Sequence, residues 1–385
     1  MSFKRNIRLL TWFNFFTDFR LYAPIAIIYF ATVSKSYALG ASVFSVIMIV
    51  QALFDVPTGI FSDIIGRKKT VVLGALFAVL SIVFYAIGLN YWILIIGAIA
   101  EGMSRAFYSG NNNALLHNLL TEEGLQDEFH VYSGKLNSMF QWALASSAIL
   151  GSYIANLSFP LVMWLSAIPQ AICLFISFGI KDANKVIVEK ENPIKLLGQA
   201  IRDFVSNANL RLLSISSIID YGAGEASYQF QAAYYQSVWP IWAIGIAKTI
   251  SGVLAAIGYR ISGKLINKFK AINVLFFGSI VSNVVAWIAL IFTSIFSPIL
   301  MSLTSIFHGT GSTAQVSLLH KEFTDKQRAT MSSLNSFAGS LFFAVLIFVL
   351  GFITDKIGAR NGLLLLSLFA IPSLLIRWKL FNKDH

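Results

Sequence analysis

The sequence predicts an all-α polytopic membrane protein, with twelve transmembrane helices in two pseudo-symmetric six-helix bundles. Three observations carry that expectation. Of the 385 residues, 56% are hydrophobic and only 12% charged, and the mean hydropathy is +0.71, whereas soluble domains carry about 25% charged residues. Apolar runs of about 20 residues, the length that crosses a bilayer core, recur along the whole chain. Basic residues gather in alternate gaps between those runs, as they do in loops on the cytoplasmic side.

Taken in order, the predicted spans run approximately 8–33, 41–65, 70–89, 92–119, 134–157, 160–181, 209–237, 240–262, 272–293, 297–319, 329–353 and 362–380. The gaps after spans 2, 6, 8 and 10 hold Arg67 to Lys69, Lys181 to Arg211, Lys264 to Lys270 and Lys321 to Arg328. The opposite gaps are short and nearly uncharged, as at Asn90-Tyr91 and Ser158-Phe159. Lys356 and Arg360 after span 11 depart from the alternation, and the acidic loop from Glu122 to Glu128 counts little towards orientation. Both termini are therefore expected in the cytoplasm, and the expected location is a bacterial inner (plasma) membrane. The basic start, Lys4-Arg5-Asn6-Ile7-Arg8, precedes an apolar stretch too long for a signal peptide and is read as a retained first helix.

The net charge of +11 is spread between apolar segments rather than gathered on one face, so no nucleic-acid partner is expected. The single cysteine, Cys173, offers neither an internal disulfide nor a Cys-based metal site. The longest polar stretch divides the chain into an N-terminal bundle (1–181), a cytoplasmic linker (182–208) and a C-terminal bundle (209–385). Pro193 interrupts helix in that linker, and the amphipathic stretch from Leu196 to Val205 is expected to lie on the membrane surface. Short repeats support two related halves: Ala114-Leu115-Leu116-His117 returns as Ser317-Leu318-Leu319-His320, and Leu150-Gly151 as Leu350-Gly351, both with offsets near 200 residues.

Between spans 2 and 3 stands Asp55-Val56-Pro57-Thr58-Gly59-Ile60-Phe61-Ser62-Asp63-Ile64-Ile65-Gly66-Arg67-Lys68-Lys69. Gly59 and Gly66 lack side chains, which suits close approach of a neighbouring helix or a turning backbone. The pattern Gly59-x-x-x-Asp63-x-x-Gly66-Arg67-Lys68 resembles the loop between helices 2 and 3 of the major facilitator superfamily of secondary transporters. Asp55-Val56-Pro57-Thr58-Gly59 matches an acidic-x-Pro-Thr-Gly form found in some members. The resemblance implies two parallel six-helix halves, each built from inverted triplets of helices, with spans 1, 4, 7 and 10 lining a central cavity. It further implies that Asp63 and Arg67 act in gating rather than substrate contact; Asp55, Gly59, Gly66 and Lys68 belong to the same gating motif. The glycine-rich, proline-containing antiporter signature of span 5 is missing from Trp142 to Ala155, where only Gly151 remains, so drug/proton antiport loses support.

An ionisable residue deep in a bilayer is costly unless paired or wetted, and is read as functional. Asp18 and Arg20 in span 1, Glu101 and Arg105 in span 4, Asp220 and Glu225 in span 7, and Lys248 in span 8 form such a set, with His308 and Gln315 in span 10. Together they make the expected proton and substrate path. Glu101 and Arg105 are four apart on one helix face and can neutralise each other, in a salt bridge or in substrate binding. Asp18 and Arg20 point in different directions and are expected to pair across helices. Asp220 and Glu225 have no basic partner within span 7 and are the proton candidates, with Lys248 as counter-ion of one of them.

The resulting expectation is a secondary transporter that moves a small organic solute by alternating access, driven by a proton gradient or only by the solute's own gradient, with proton-coupled active transport the first choice. The alternative is a receptor or scaffold that keeps the fold without transport. An enzyme is not expected: His117, His308 and His320 are scattered, no catalytic or metal site emerges, and no phosphate-binding Gly-x-x-x-x-Gly-Lys-Ser/Thr loop exists. No cofactor is expected, and the partners are the solute, protons and the lipid bilayer, with the chain acting as a monomer.

Overall fold

The computed structural model describes residues 3–109, 111–181, 193–323 and 328–384. All of the described secondary structure is helical. Backbone packing divides the chain into two compact units, Met1–Ile187 with Pro240–Thr249, and Val188–Trp239 with Ile250–His385.

The first unit opens with α1 (Phe3–Asp18) and α2 (Ala26–Ser34), which correct the single helix expected over 8–33. Pro24 accounts for the break, because it has no N–H to donate to the Arg20 carbonyl four residues earlier. The chain instead turns through Arg20 and a 3-10 turn at Ala23–Ile25. Ser36 then caps α3 (Tyr37–Ile65), its hydroxyl accepting from the Leu39 N–H at 3.2 Å. Gly66 alone separates α3 from α4 (Arg67–Ile87). Asn90 caps α5 (Tyr91–Tyr108) in the same way, and α6 (Asn111–Glu122), α7 (Phe129–Leu157) and α8 (Phe159–Gly179) complete the unit's main helices. The expected span 92–119 is thus also two helices, α5 and α6, parted at Ser109. Within the unit α4 and α5 pack on one another, α3 lies on α5, and α1 lies against α7 and α8.

The second unit contains α9 (Pro193–Ser206), α10 (Ala208–Tyr235), most of α11 (Ile241–Phe269), α12 (Ala271–Ile291), α13 (Ser297–Leu303), α14 (Ser305–Glu322), α15 (Arg328–Ser367) and α16 (Ala370–Asp384). Pro193 begins α9, a place where the missing N–H costs nothing; residues 182–192 of the expected linker lie outside the described residues. The expected span 297–319 is interrupted at Thr304. The gap expected between spans 11 and 12 is instead a kink at Gly358 inside α15, whose φ of 82° lies in a region open to glycine. Helix α10 packs along α15 and α16, and α12 against α14 and α16.

One turn geometry recurs. Gly66 has φ 98° and ψ 150°, Lys270 between α11 and α12 has φ 65° and ψ 149°, and Gly358 has φ 82° and ψ 161°. Gly351-x-x-x-Asp355-x-x-Gly358-x-Arg360 repeats the spacing of the Gly59 to Gly66 motif, an echo absent from the sequence reading above. Arg360 donates from Nε to the Leu290 carbonyl (2.6 Å) and from Nη2 to the Ile291 carbonyl (2.7 Å), satisfying the C-terminal carbonyls of α12.

Among the described residues seven segments are long and apolar enough to cross a membrane by length and composition. The expected spans outside those seven are 92–119, 134–157, 209–237 and 297–319. Three of them carry Glu101 and Arg105, Asp220 and Glu225, or His308 and Gln315. Those polar residues lower the hydropathy of the three helices that carry them.

Candidate functional site

A buried ionic cluster is found in each unit among the described residues. In the first, the break between α1 and α2 leaves carbonyls at the end of α1 without helical partners. Arg20 Nε donates to the Thr17 carbonyl at 3.1 Å. Gln170 Nε2, from α8, donates to the carbonyls of Phe16 (3.1 Å) and Thr17 (3.3 Å). The link is wedged against α7 at Gly151, where a Cβ would overlap the Leu21 carbonyl. This seating turns Arg20 towards α5. Its Nη1 donates to Glu101 Oε1 at 2.5 Å, the same oxygen that accepts from Arg105 Nε (3.1 Å) and Nη2 (2.7 Å). Glu101 Oε2 accepts from the hydroxyls of Tyr22 (3.2 Å) and Tyr85 (3.0 Å). Glu101 is 5% exposed and Arg105 33%.

In the second unit Arg377 on α16 is the buried member. Its Nη2 donates to Asp220 Oδ2 on α10, and its Nη1 to the Ser279 hydroxyl on α12. The hydroxyls of Ser216 and Ser373 share a hydrogen bond of 2.9 Å beside this pair. Arg377 is 8% exposed and Asp220 32%. Gln315 is buried on α14 and donates from Nε2 to the Leu213 carbonyl at 2.9 Å.

The hinge between α3 and α4 is a third polar feature. Thr58 Oγ1 donates to the Ala106 carbonyl at 3.0 Å, and Ser62 Oγ to Asn111 Oδ1 at 2.5 Å. Asp55, Thr58 and Ser62 recur at i, i+3 and i+7, so one stripe of α3 meets the interruption between α5 and α6. Thr58 there satisfies a backbone carbonyl and Ser62 a side-chain amide oxygen.

Residues 9–343 match the family described as the Major Facilitator Superfamily. The chain belongs to the major facilitator superfamily. An uncharacterized transporter of Buchnera aphidicola subsp. Acyrthosiphon pisum is 27% identical over 157 residues, which span 41% of this chain and 39% of that protein. An uncharacterized MFS-type transporter of Methanocaldococcus jannaschii is 23% identical over 370 residues, 91% of this chain and 90% of that protein. The crystal structure of the nucleoside transporter NupG superposes with a TM-score of 0.80 at 15% identity, covering 99% of each chain. This is a multi-pass membrane protein with the superfamily's fold.

Within that superfamily fold, Arg20, Glu101 and Arg105 come together, and Arg20 pairs across helices with Glu101 rather than with its near neighbour Asp18. Asp18 ends α1 half-buried, without an ion pair among the described residues. Asp220 is not the unpaired acid expected: its partner is Arg377, on another helix, and Lys248 is not needed to neutralise it. Glu225 is half-buried and Lys248 buried, each with interactions of its own. His308 is exposed and meets the Tyr259 ring edge to face. In the hinge, Gly66 adopts the turn that a glycine permits. Gly59 has nothing within 4 Å of a built Cβ, which corrects the close approach expected there. Asp55 is half-buried, Arg67 and Lys68 open α4, and the Asp63 side chain lies outside the described residues.

The sequence reading missed Arg377, Gln170 and Tyr85. Arg377 was legible by the same rule as the others, an ionisable residue inside the predicted span 362–380. Gln170 and Tyr85 carried no signal, because polar and aromatic residues are common in such helices and only the fold shows which ones reach the cluster.

Proposed function

We propose that the protein is a secondary active transporter that moves a small organic solute by alternating access of two bundles, 1–181 and 209–385, joined by a linker at 182–208. Coupling is to protons, the chain acts as a monomer, and it sits in a bacterial inner membrane with both termini in the cytoplasm. The observation that carries the reading is the placement of ionic groups. In a family of carriers, helices that would otherwise be apolar spend hydrocarbon-spanning positions on Glu101, Arg105 and Asp220. Asp220, one-third exposed beside a buried guanidinium, and Glu225 are the proton carriers. Asp63 and Arg67 act in gating.

Reconstitution into proteoliposomes tests this directly. Counterflow of a solute is expected of a carrier, and its absence for every solute that stabilises the protein would favour a receptor or scaffold. Asp220→Asn or Glu225→Gln is expected to flatten the pH dependence of flux; an unaltered profile in both variants removes these acids from the proton path. Asp63→Asn is expected to slow flux while solute binding persists, and equal loss of both counts against gating.

A further inference from the structure

We infer that the first unit contains an acceptor site for the carboxylate, or an equivalent small oxyanion, of an organic substrate, with Arg105 as the exchanging cation. This rests on the transporter reading and names its substrate class. The argument begins with charge. Glu101 accepts five hydrogen bonds, three of them at Oε1 from two guanidinium groups. A carboxylate has about four lone-pair sites, so Glu101 is saturated, and one negative charge faces two positive ones.

The two arginines differ. Arg20 is the inner partner, 14% exposed and tied also to the Thr17 carbonyl. Arg105 is 33% exposed, and its Nη1 has no hydrogen bond among the described residues. Arg105 can therefore turn outward to a planar anion while Arg20 and the two phenols keep Glu101 neutralised, a match of fork to carboxylate that guanidinium makes well. Asp18 is within electrostatic reach of both arginines and pairs with neither among the described residues. It tempers the surplus positive charge without occupying it.

A second unsatisfied group lies on the inner side of the cluster, beside Arg20. Gln170 is 1% exposed and commits Nε2 to α1, while its Oε1 has no donor. It lines a small cavity with Arg20, Tyr22, Glu101 and Ser104.

The test is isothermal titration of the full chain in detergent with benzoate, mandelate and hexanoate, each against its uncharged amide. At least one acid is expected to bind about tenfold or more tightly than its amide. Arg105→Gln is expected to remove that preference, with folding retained because Arg20 still neutralises Glu101. Asp18→Asn, which removes a competing negative charge, is expected to strengthen acid binding. Equal binding of acid and amide, a preference surviving in Arg105→Gln, weaker binding in Asp18→Asn, or no binding of any of the three acids overturns the inference. Counterflow of a neutral solute that none of the acids inhibits would overturn it and leave the transporter reading standing. Acid binding without counterflow of any bound acid would do the reverse.

Discussion

Glu101 and Asp220 are both carboxylates on membrane helices, and the two units accommodate them in opposite ways. In the first unit the acid is the buried member, 5% exposed, and one of its cations reaches outward, Arg105 at 33%. In the second the base is buried, Arg377 at 8%, and the acid reaches outward, Asp220 at 32%. The buried member of an ion pair is fixed, because moving it would strand a charge in low dielectric. The exposed member is free to exchange partners. The first unit thus presents an exchangeable cation and the second an exchangeable acid.

The largest effect expected is for Glu101→Gln. It uncovers two guanidinium groups and weakens two phenol hydrogen bonds, at a cost of about 3–5 kcal/mol, read as a large fall in thermal midpoint or in folded yield. Asp220→Asn uncovers one guanidinium whose acid was already one-third in solvent, so a smaller loss of about 1–3 kcal/mol is expected in the same measurement. Equal losses in the two variants would break the comparison. Gly151→Ala presses on the Leu21 carbonyl and displaces the link that carries Arg20, with an expected loss of about 1–3 kcal/mol. It should also lower carboxylate binding, whereas a change in stability alone would separate the link from the site. The smallest effect lies outside both clusters. Lys270 holds φ 65° and ψ 149°, backbone that strains a side-chain-bearing residue by about 1–3 kcal/mol, partly offset if glycine replaces it. Lys270→Gly is therefore expected to raise the thermal midpoint modestly and leave solute binding unchanged.

Much of this was legible in the chain. The bilayer imposes its length and polarity on every helix, so apolar runs, basic gaps and the Gly59 to Lys68 motif could be read locally. The i,i+4 relation of Glu101 to Arg105 was visible for the same reason, since both lie on one helix. The partners of Asp220 and Arg20 lie 157 and 81 residues away, and sequence spacing says nothing about such distances. Helix breaks were half legible: Pro24 marks the one between α1 and α2, while the interruption at Thr304 has no proline or glycine at the break itself.

The amino-acid order alone determined that this is a helical, multi-pass membrane protein with a glycine turn after its second apolar run, because burial in hydrocarbon is a demand each segment meets by itself. Only the tertiary structure decided which charge is sealed and which remains available. That choice depends on Gln170, Tyr22, Tyr85 and Ser279 arriving from other helices to complete the hydrogen bonds of a buried ion, and a buried ion is stable only where such partners converge.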